Sequence, residues 1–218
     1  MREIVVAAFL SLDGVMQAPG GPEEDPDGGF RFGGWTFHYW DELMGQKMGE
    51  AFEKPFDLLL GRRTYDIFAA HWPHAGDEPP APLFNSVTKY VATSDPASLT
   101  WQNSQSLGAD VVARLKEIKA GDGPMLLVQG SSVLLQTLLA NDLIDQLQLW
   151  VFPVVLGSGK RLFGEGSLPA GFFLTESWAS STGVVASTYR RAGEVSVGSF
   201  ALDEPSAAEL ERQAKLKA

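Results

Sequence analysis

Short runs rich in Val, Ile and Leu alternate along this chain with stretches whose apolar residues recur at helical spacing, and no other feature restricts the fold so far. "EIVVAAFLSLDG" reads as a buried strand that stops at Asp-Gly punctuation. Trp40, Met44, Met48 and Phe52 then share one face of a helix expected from Phe37 to Phe52. A strand at Phe56 to Leu60 runs through Gly61 into a second helix, with Tyr65, Phe68, Ala69 and Trp72 on its apolar stripe, and "PHAGDEPPAP" ends that helix. "KYVATS" and "LTW" read as strands, Val111, Leu115 and Ile118 as a helix face, and "PMLLVQG" as another strand. "SSVLLQTLLA" is a helix opened by serines suited to capping. Such alternation predicts an α/β fold with a mainly parallel sheet flanked by helices. Near the end, "LIDQLQLWVFPVVLG", "GFFLTESWAS" and "GVVASTYRRA" are strand-like, with a turn available at 181–183. The last two predict a C-terminal antiparallel hairpin, which makes the sheet mixed.

At 218 residues the chain can bury a sizeable core in one domain, expected over residues 1–202. Residues 203–218 are charged, with only Leu210 and Leu216 as sizeable apolar groups, and read as a tail or peripheral helix. Residues 17–34 crowd glycine, proline and acids, the composition of a mobile surface segment or lid. A formal net charge of -10 argues against nucleic acid and anionic membranes as partners, so any anion site must be a local exception. The absence of cysteine excludes disulfides, a thiolate nucleophile and Cys-ligated metal. The early apolar run Ile4 to Leu10 is too short for a membrane span or a signal-peptide core, so a soluble, cytoplasmic chain is expected.

The strand-to-helix junctions carry the chemistry. In "LLLGRRTYDIF" a helix N-terminus leaves backbone N–H groups unpaired and partly positive. Gly61 lets an anion approach, while Arg62 and Arg63, followed by Thr64, add charge-assisted bonds suited to phosphate. Taken alone, the segment reads more simply as a tight turn with two solvent-facing arginines. The second junction, "VQGSSVLL", ends a strand in Gly130 and opens a helix with Ser131 and Ser132. It is either a second backbone nest for oxygen anions or a plain N-cap at Ser131. Two such junctions at the carboxyl ends of strands in one sheet point to a diphosphate or dinucleotide ligand.

Other segments are less telling. "LGSGKRLFGEG" fails as a Walker A loop, which needs glycine where Val154 stands and Ser or Thr where Arg161 stands. His71 and His74 form an H-x-x-H without a further ligand at telling spacing, and no metal site is expected. Asp41 falls within the arc of Trp40, Met44, Met48 and Phe52; desolvation there would raise its pKa and let it act as a general acid, the alternative being a helix cap. Asp13, in "SLDG", is a turn residue first and a substrate ligand second. Trp35, Trp40 and Trp72 are candidates for the wall of an acceptor pocket or for the core.

On these residues the chain resembles the dihydrofolate reductase-like family, most closely its RibD C-terminal-like branch, over roughly residues 3 to 192. The marks are "FLSLDGVM", "LLGRRTYDIF", "KYVATS", "VQGSSVLLQTLL" and "PVVLGSGKRLF". The resemblance implies NADPH as cofactor. It puts Gly61, Arg62, Arg63 and Thr64 at a first phosphate-binding turn and Gly130, Ser131, Ser132 and Val133 at a second, with Thr93 and Ser94 beside the adenosine 2'-phosphate. It also implies a homodimer built around the later strands. The expected reaction is hydride transfer to a C=N or C=O group of a small heterocyclic or aromatic substrate, with a proton from Asp41 or water. A non-catalytic nucleotide or small-molecule binder on the same fold and a true dihydrofolate reductase are the alternatives.

Overall fold

The computed structural model describes residues 1–164 and 167–217. Eight strands among them form one sheet: β1 (Ile4–Ser11), β2 (Phe56–Gly61), β3 (Lys89–Ala92), β4 (Ser104–Ser106), β5 (Met125–Val128), β6 (Gln146–Phe152), β7 (Gly171–Ala179) and β8 (Val185–Gly193). The helices are α1 (Glu42–Phe52), α2 (Arg62–His71), α3 (Ala81–Ser86), α4 (Val111–Ala120), α5 (Ser132–Ala140) and α6 (Ala207–Leu216). The strand order is β4-β3-β2-β5-β1-β6-β8-β7. Pairing is parallel from β4 to β6 and antiparallel for β6 with β8 and β8 with β7. This is the mixed α/β sheet with a C-terminal hairpin that the sequence pattern predicts.

β1 shows why the centre of the sheet is parallel. Ile4, Val6, Ala8 and Leu10 face a core shared with Leu115 of α4 and Leu134, Leu135 and Leu138 of α5. Val5, on the other face, joins Tyr65 of α2 and Phe84 of α3, and Phe9 meets the group around Met44 of α1. A strand covered on both faces is apolar at every position, whatever its parity. Helices on both sides leave the carboxyl ends of the parallel strands as the edge where loops converge.

Three expectations change, and one element is new. The helix expected from Phe37 begins at Glu42: a 3-10 turn spans Phe37–Tyr39, the chain is extended at Trp40 (φ -68°, ψ 134°), and Asp41 accepts from the Met44 N–H at 2.9 Å to start α1. Trp40 therefore precedes the helix instead of sharing its face. "LTW" is not a strand; Trp101 is buried, its backbone N–H donating to the Tyr65 hydroxyl (2.8 Å) and its indole N–H to Asn85 Oδ1 (2.7 Å), and β4 forms further on. A helix that the sequence pattern did not announce, α3, starts at the end of the proline-rich stretch, with Pro82 in its first turn, where the missing N–H costs no helical bond. Finally, the segment expected to be a mobile lid is tied down. The buried Gln17 side chain donates to the carbonyls of Asp25 (2.9 Å) and Asp27 (3.0 Å), and Trp35 Nε1 donates to the Gln17 carbonyl (2.8 Å). α6 buries no side chain, and no helix among the described residues is long and apolar enough to cross a membrane.

Candidate active site

Loops at the carboxyl ends of four strands enclose a cavity of about 160 Å³. Gln17 reaches it from β1, Arg63 and Thr64 from β2, Ser131 and Ser132 from β5, and Lys160 from β6. The two glycine junctions are not merely neighbours but are pressed together. The Gly61 N–H donates to the Gly130 carbonyl at 3.2 Å. A Cβ on Gly61 would lie 2.0 Å from Ser131 Oγ, and one on Gly130, whose φ is 143°, 2.5 Å from Thr64 Oγ1. Only glycine at both places lets α2 and α5 start side by side, with first-turn N–H groups bordering the same cavity. Ser131 also caps α5, its Oγ facing the Leu134 N–H at 3.5 Å.

The adjacent arginines diverge. Arg62 Nε donates to both oxygens of Asp66 (2.9 and 3.0 Å), its Nη1 donates to the Ser98 hydroxyl, and the guanidinium lies 5.8 Å over the Tyr65 ring. Thr93 and Ser94, expected beside the adenosine 2'-phosphate, are on the same loop after β3, and the hydroxyl that meets the guanidinium is that of Ser98. Arg63 turns towards the cavity mouth, where its Nη1 is 2.8 Å from Asp25 Oδ1 and 2.8 Å from Asp27 Oδ2. Lys160 Nζ reaches the same two carboxylates at 2.7 and 2.9 Å.

The substrate-side and catalytic candidates are mostly engaged elsewhere. Asp13 Oδ1 accepts from the Ser11 hydroxyl (2.7 Å) and the Leu156 N–H (3.0 Å), and Oδ2 from the Gly157 N–H (2.9 Å), while Arg161 approaches at 3.3 Å. These bonds, that of Ser11 foremost, hold its carboxyl well below the usual range. Asp13 thus pins the loop that carries Lys160 to the end of β1, and its oxygens are spent on the chain instead of a substrate.

Asp41 is likewise corrected. Besides capping α1, it accepts from the Ser181 N–H (2.8 Å) and hydroxyl (2.7 Å), and the Met44 N–H and then Ser181 lower its pKa. A carboxylate kept ionised by such bonds stores no proton near neutrality, so the general-acid expectation loses its physical basis. Trp40 fares better: 38% exposed, it lies edge-on to Phe9 (5.7 Å) and tilted against Trp150 (5.9 Å), which meets Trp178 at 4.9 Å. These rings make a half-open aromatic wall on the α1 side of the sheet. Trp72 belongs instead to the core around Phe84.

Sequence reasoning missed Ser98, Lys160, Asp25 and Asp27. Lys160 stood in a glycine-rich segment that failed as a Walker A loop and served only as a mark of the family resemblance, yet that loop leaves the carboxyl end of β6 and delivers the lysine to the anion cavity by another route. The position of the segment at a strand's end was the available signal.

The open mixed sheet, with glycine-paired junctions at its carboxyl edge, has a fold of the dihydrofolate reductase-like class. Within that class the chain belongs to the RibD C-terminal domain family, whose model matches residues 2–186. The uncharacterized protein YyaP of Bacillus subtilis (strain 168) is 24% identical over 197 residues, covering 86% of this chain and 94% of that protein. A structure provisionally assigned to riboflavin biosynthesis in Shewanella sp. PV-4 superposes with a TM-score of 0.58 and 22% identity, over 87% of this chain and 98% of that one. Dihydrofolate reductase from Enterococcus faecalis, complexed with NADP(H) and RAB-propyl, gives a TM-score of 0.56 and 15% identity, over 87% and 96% of the two chains. The structural likenesses show a common fold.

Proposed function

We propose that this protein is an NADPH-dependent reductase that passes hydride to a C=N or C=O group of a small heterocyclic or aromatic substrate. The observation that carries the reading is the glycine-dependent contact of two helix N-termini at one cavity, beside cations, in a chain whose net charge is -10. In an acidic protein, two helix N-termini brought to one cavity beside Arg63 and Lys160 favour an anion there once the aspartates that pair with these cations give way. The residues fit the cofactor. Thr64, Arg63, Ser131 and Ser132 would hold its pyrophosphate, and Arg62 with Ser98 its adenosine 2'-phosphate, with Thr93 and Ser94 adjoining. Val133, an exposed apolar residue at the start of α5, offers a surface to one of its rings. When bound, the dihydronicotinamide supplies the hydride.

The aromatic wall of Phe9, Trp40 and Trp150 would orient a flat acceptor and keep water from one of its faces. With Asp41 committed to Met44 and Ser181, solvent is the proton source in this reading. A homodimer through exposed Phe173, Leu174 and Val185 of the β7–β8 hairpin, in a reducing cytoplasm suited to a chain without cysteine, completes the proposal.

The experiment follows the loss of dihydronicotinamide absorbance with dihydrofolate, pyrimidine ribosyl phosphates and aromatic carbonyls as acceptors. Turnover of one of them supports the reading. Binding of NADPH without turnover favours the non-catalytic binder, and failure to bind NADPH overturns the proposal.

A further inference from the structure

The four charges at the cavity mouth form a closed arrangement. Asp25 gives one oxygen to Arg63 and the other to Lys160, at 2.8 and 2.7 Å, and Asp27 Oδ2 lies 2.8 and 2.9 Å from the same two cations. Each aspartate bridges an arginine from the start of α2 and a lysine from the loop after β6. Gln17 sets the geometry: its Oε1 accepts the Lys160 backbone N–H at 3.0 Å while its Nε2 holds the backbone carbonyls of Asp25 and Asp27. The carboxylates therefore stand on cations that border Ser131 and Ser132. The cavity they leave, about 160 Å³, is smaller than the roughly 300–1,000 Å³ of a typical ligand pocket.

We propose that Arg63 and Lys160 form a phosphoryl-binding site in which Asp25 and Asp27 act as an internal counter-anion that an incoming phosphate must displace. This rests on reading the cavity as a nucleotide site. Within the bridge two cations and two carboxylates cancel, and Glu24, held by the Gly20 and Gly21 N–H groups, adds a third carboxyl to the cavity lining, so a phosphate arriving beside intact bridges gains little. Once the carboxylates swing off, it meets two cations and two helix N-termini. Asp27, 51% exposed, is the first bridge to open, because exposed ion pairs hold weakly; Asp25, at 12%, is the second. Lys160, and then Arg63, keep the Asp27 carboxyl below its usual range, so the bridge is ionised across neutral pH and competes as an anion. Anchoring of the backbone by Gln17 confines the exchange to the two side chains. The phosphoryl group is either the cofactor's pyrophosphate or a phosphate on the substrate.

The test titrates inorganic pyrophosphate, NADPH, and ribose 5-phosphate at saturating NADPH into wild type, the double variant Asp25→Asn with Asp27→Asn, and that double variant carrying Lys160→Met. The double variant is expected to bind pyrophosphate about tenfold more tightly than wild type and with steeper salt dependence, and Lys160→Met to abolish that gain. A matching gain for NADPH assigns the site to the cofactor; a gain for ribose 5-phosphate alone assigns it to the substrate. Asp27→Asn by itself, at a half-exposed position, should give a smaller gain in the same direction. Unchanged or weaker pyrophosphate binding by variants with wild-type melting temperature overturns the proposal. If wild type binds no NADPH while the pyrophosphate gain appears, the cofactor reading fails and the anion site stands.

Discussion

Arg62 and Arg63 are neighbours in the chain and are treated in opposite ways. Arg62 is paired with Asp66 one turn along its own helix and with the Ser98 hydroxyl, and its Nη2 makes no hydrogen bond among the described residues. Arg63 is locked with Lys160 between two aspartates of a distant loop. Successive helix residues point about 100° apart, so one arginine reaches the loop after β3 and the other the cavity between β1, β5 and β6. The lesson is that a doubled cation at a helix start divides into two sites. One is held by a single carboxylate of its own helix, and the other is clamped between two carboxylates of a distant loop.

That division depends first on the junction contact. Gly61→Ala should have the largest effect, because its Cβ would lie 2.0 Å from Ser131 Oγ. Overpacking of this kind costs about 1–3 kcal/mol, and cofactor binding should vanish with the displaced helix starts. Denaturant titration and calorimetry would check it, and wild-type affinity in this variant would make the contact dispensable.

Arg63→Ala comes next, with a loss of about tenfold for NADPH and NADH alike, since both carry a pyrophosphate. A loss confined to NADPH would erase the distinction between the two arginines. Among the acids, Asp41→Ala should lower Tm by roughly 2–4 °C by uncapping α1. Asp41→Asn should leave the pH dependence of turnover as in wild type between about pH 6 and 9, because water supplies the proton in this account. Slower turnover of the Asn variant at the alkaline end would reinstate Asp41 as donor.

The smallest effect concerns Lys89, a cation with no carboxylate partner among the described residues. Its buried Nζ donates to the carbonyls of Asn85 (2.9 Å) and Gln102 (3.1 Å) and lies 4.3 Å over the Trp101 ring. Burial lowers its pKa from 10.5 to about 8. Between those values the unfolded chain holds the proton more tightly, so stability contributed through Lys89 rises with pH across that window. Urea midpoints of wild type and Lys89→Met at about pH 8, 9 and 10 should diverge accordingly, and parallel curves would refute the shift.

The sheet, the closing hairpin and both glycine junctions could be read from the chain because each is written locally, in a period of two or 3.6 or in a glycine at a strand's end. The long-range pairings could not. Nothing near Asp41 announces Ser181, 140 residues away, and extending the apolar stripe back through Trp40 hid the cap that starts α1. Ser98 lay a few residues beyond the hydroxyls singled out at Thr93 and Ser94. The acidic loop looked like a solvated lid because the partners of Asp25 and Asp27 come from two other loops and its anchor from Gln17.

The central claim is that Arg62 reads a phosphate monoester that NADH lacks. Calorimetric titration of wild type and Arg62→Ala with NADPH and NADH tests it most directly. Wild type should prefer NADPH, with a preference that narrows as salt rises, and Arg62→Ala should lose about 30-fold or more for NADPH and little for NADH. An equal loss for both cofactors would move Arg62 to the shared pyrophosphate, and no binding of either to wild type would contradict the reductase reading itself.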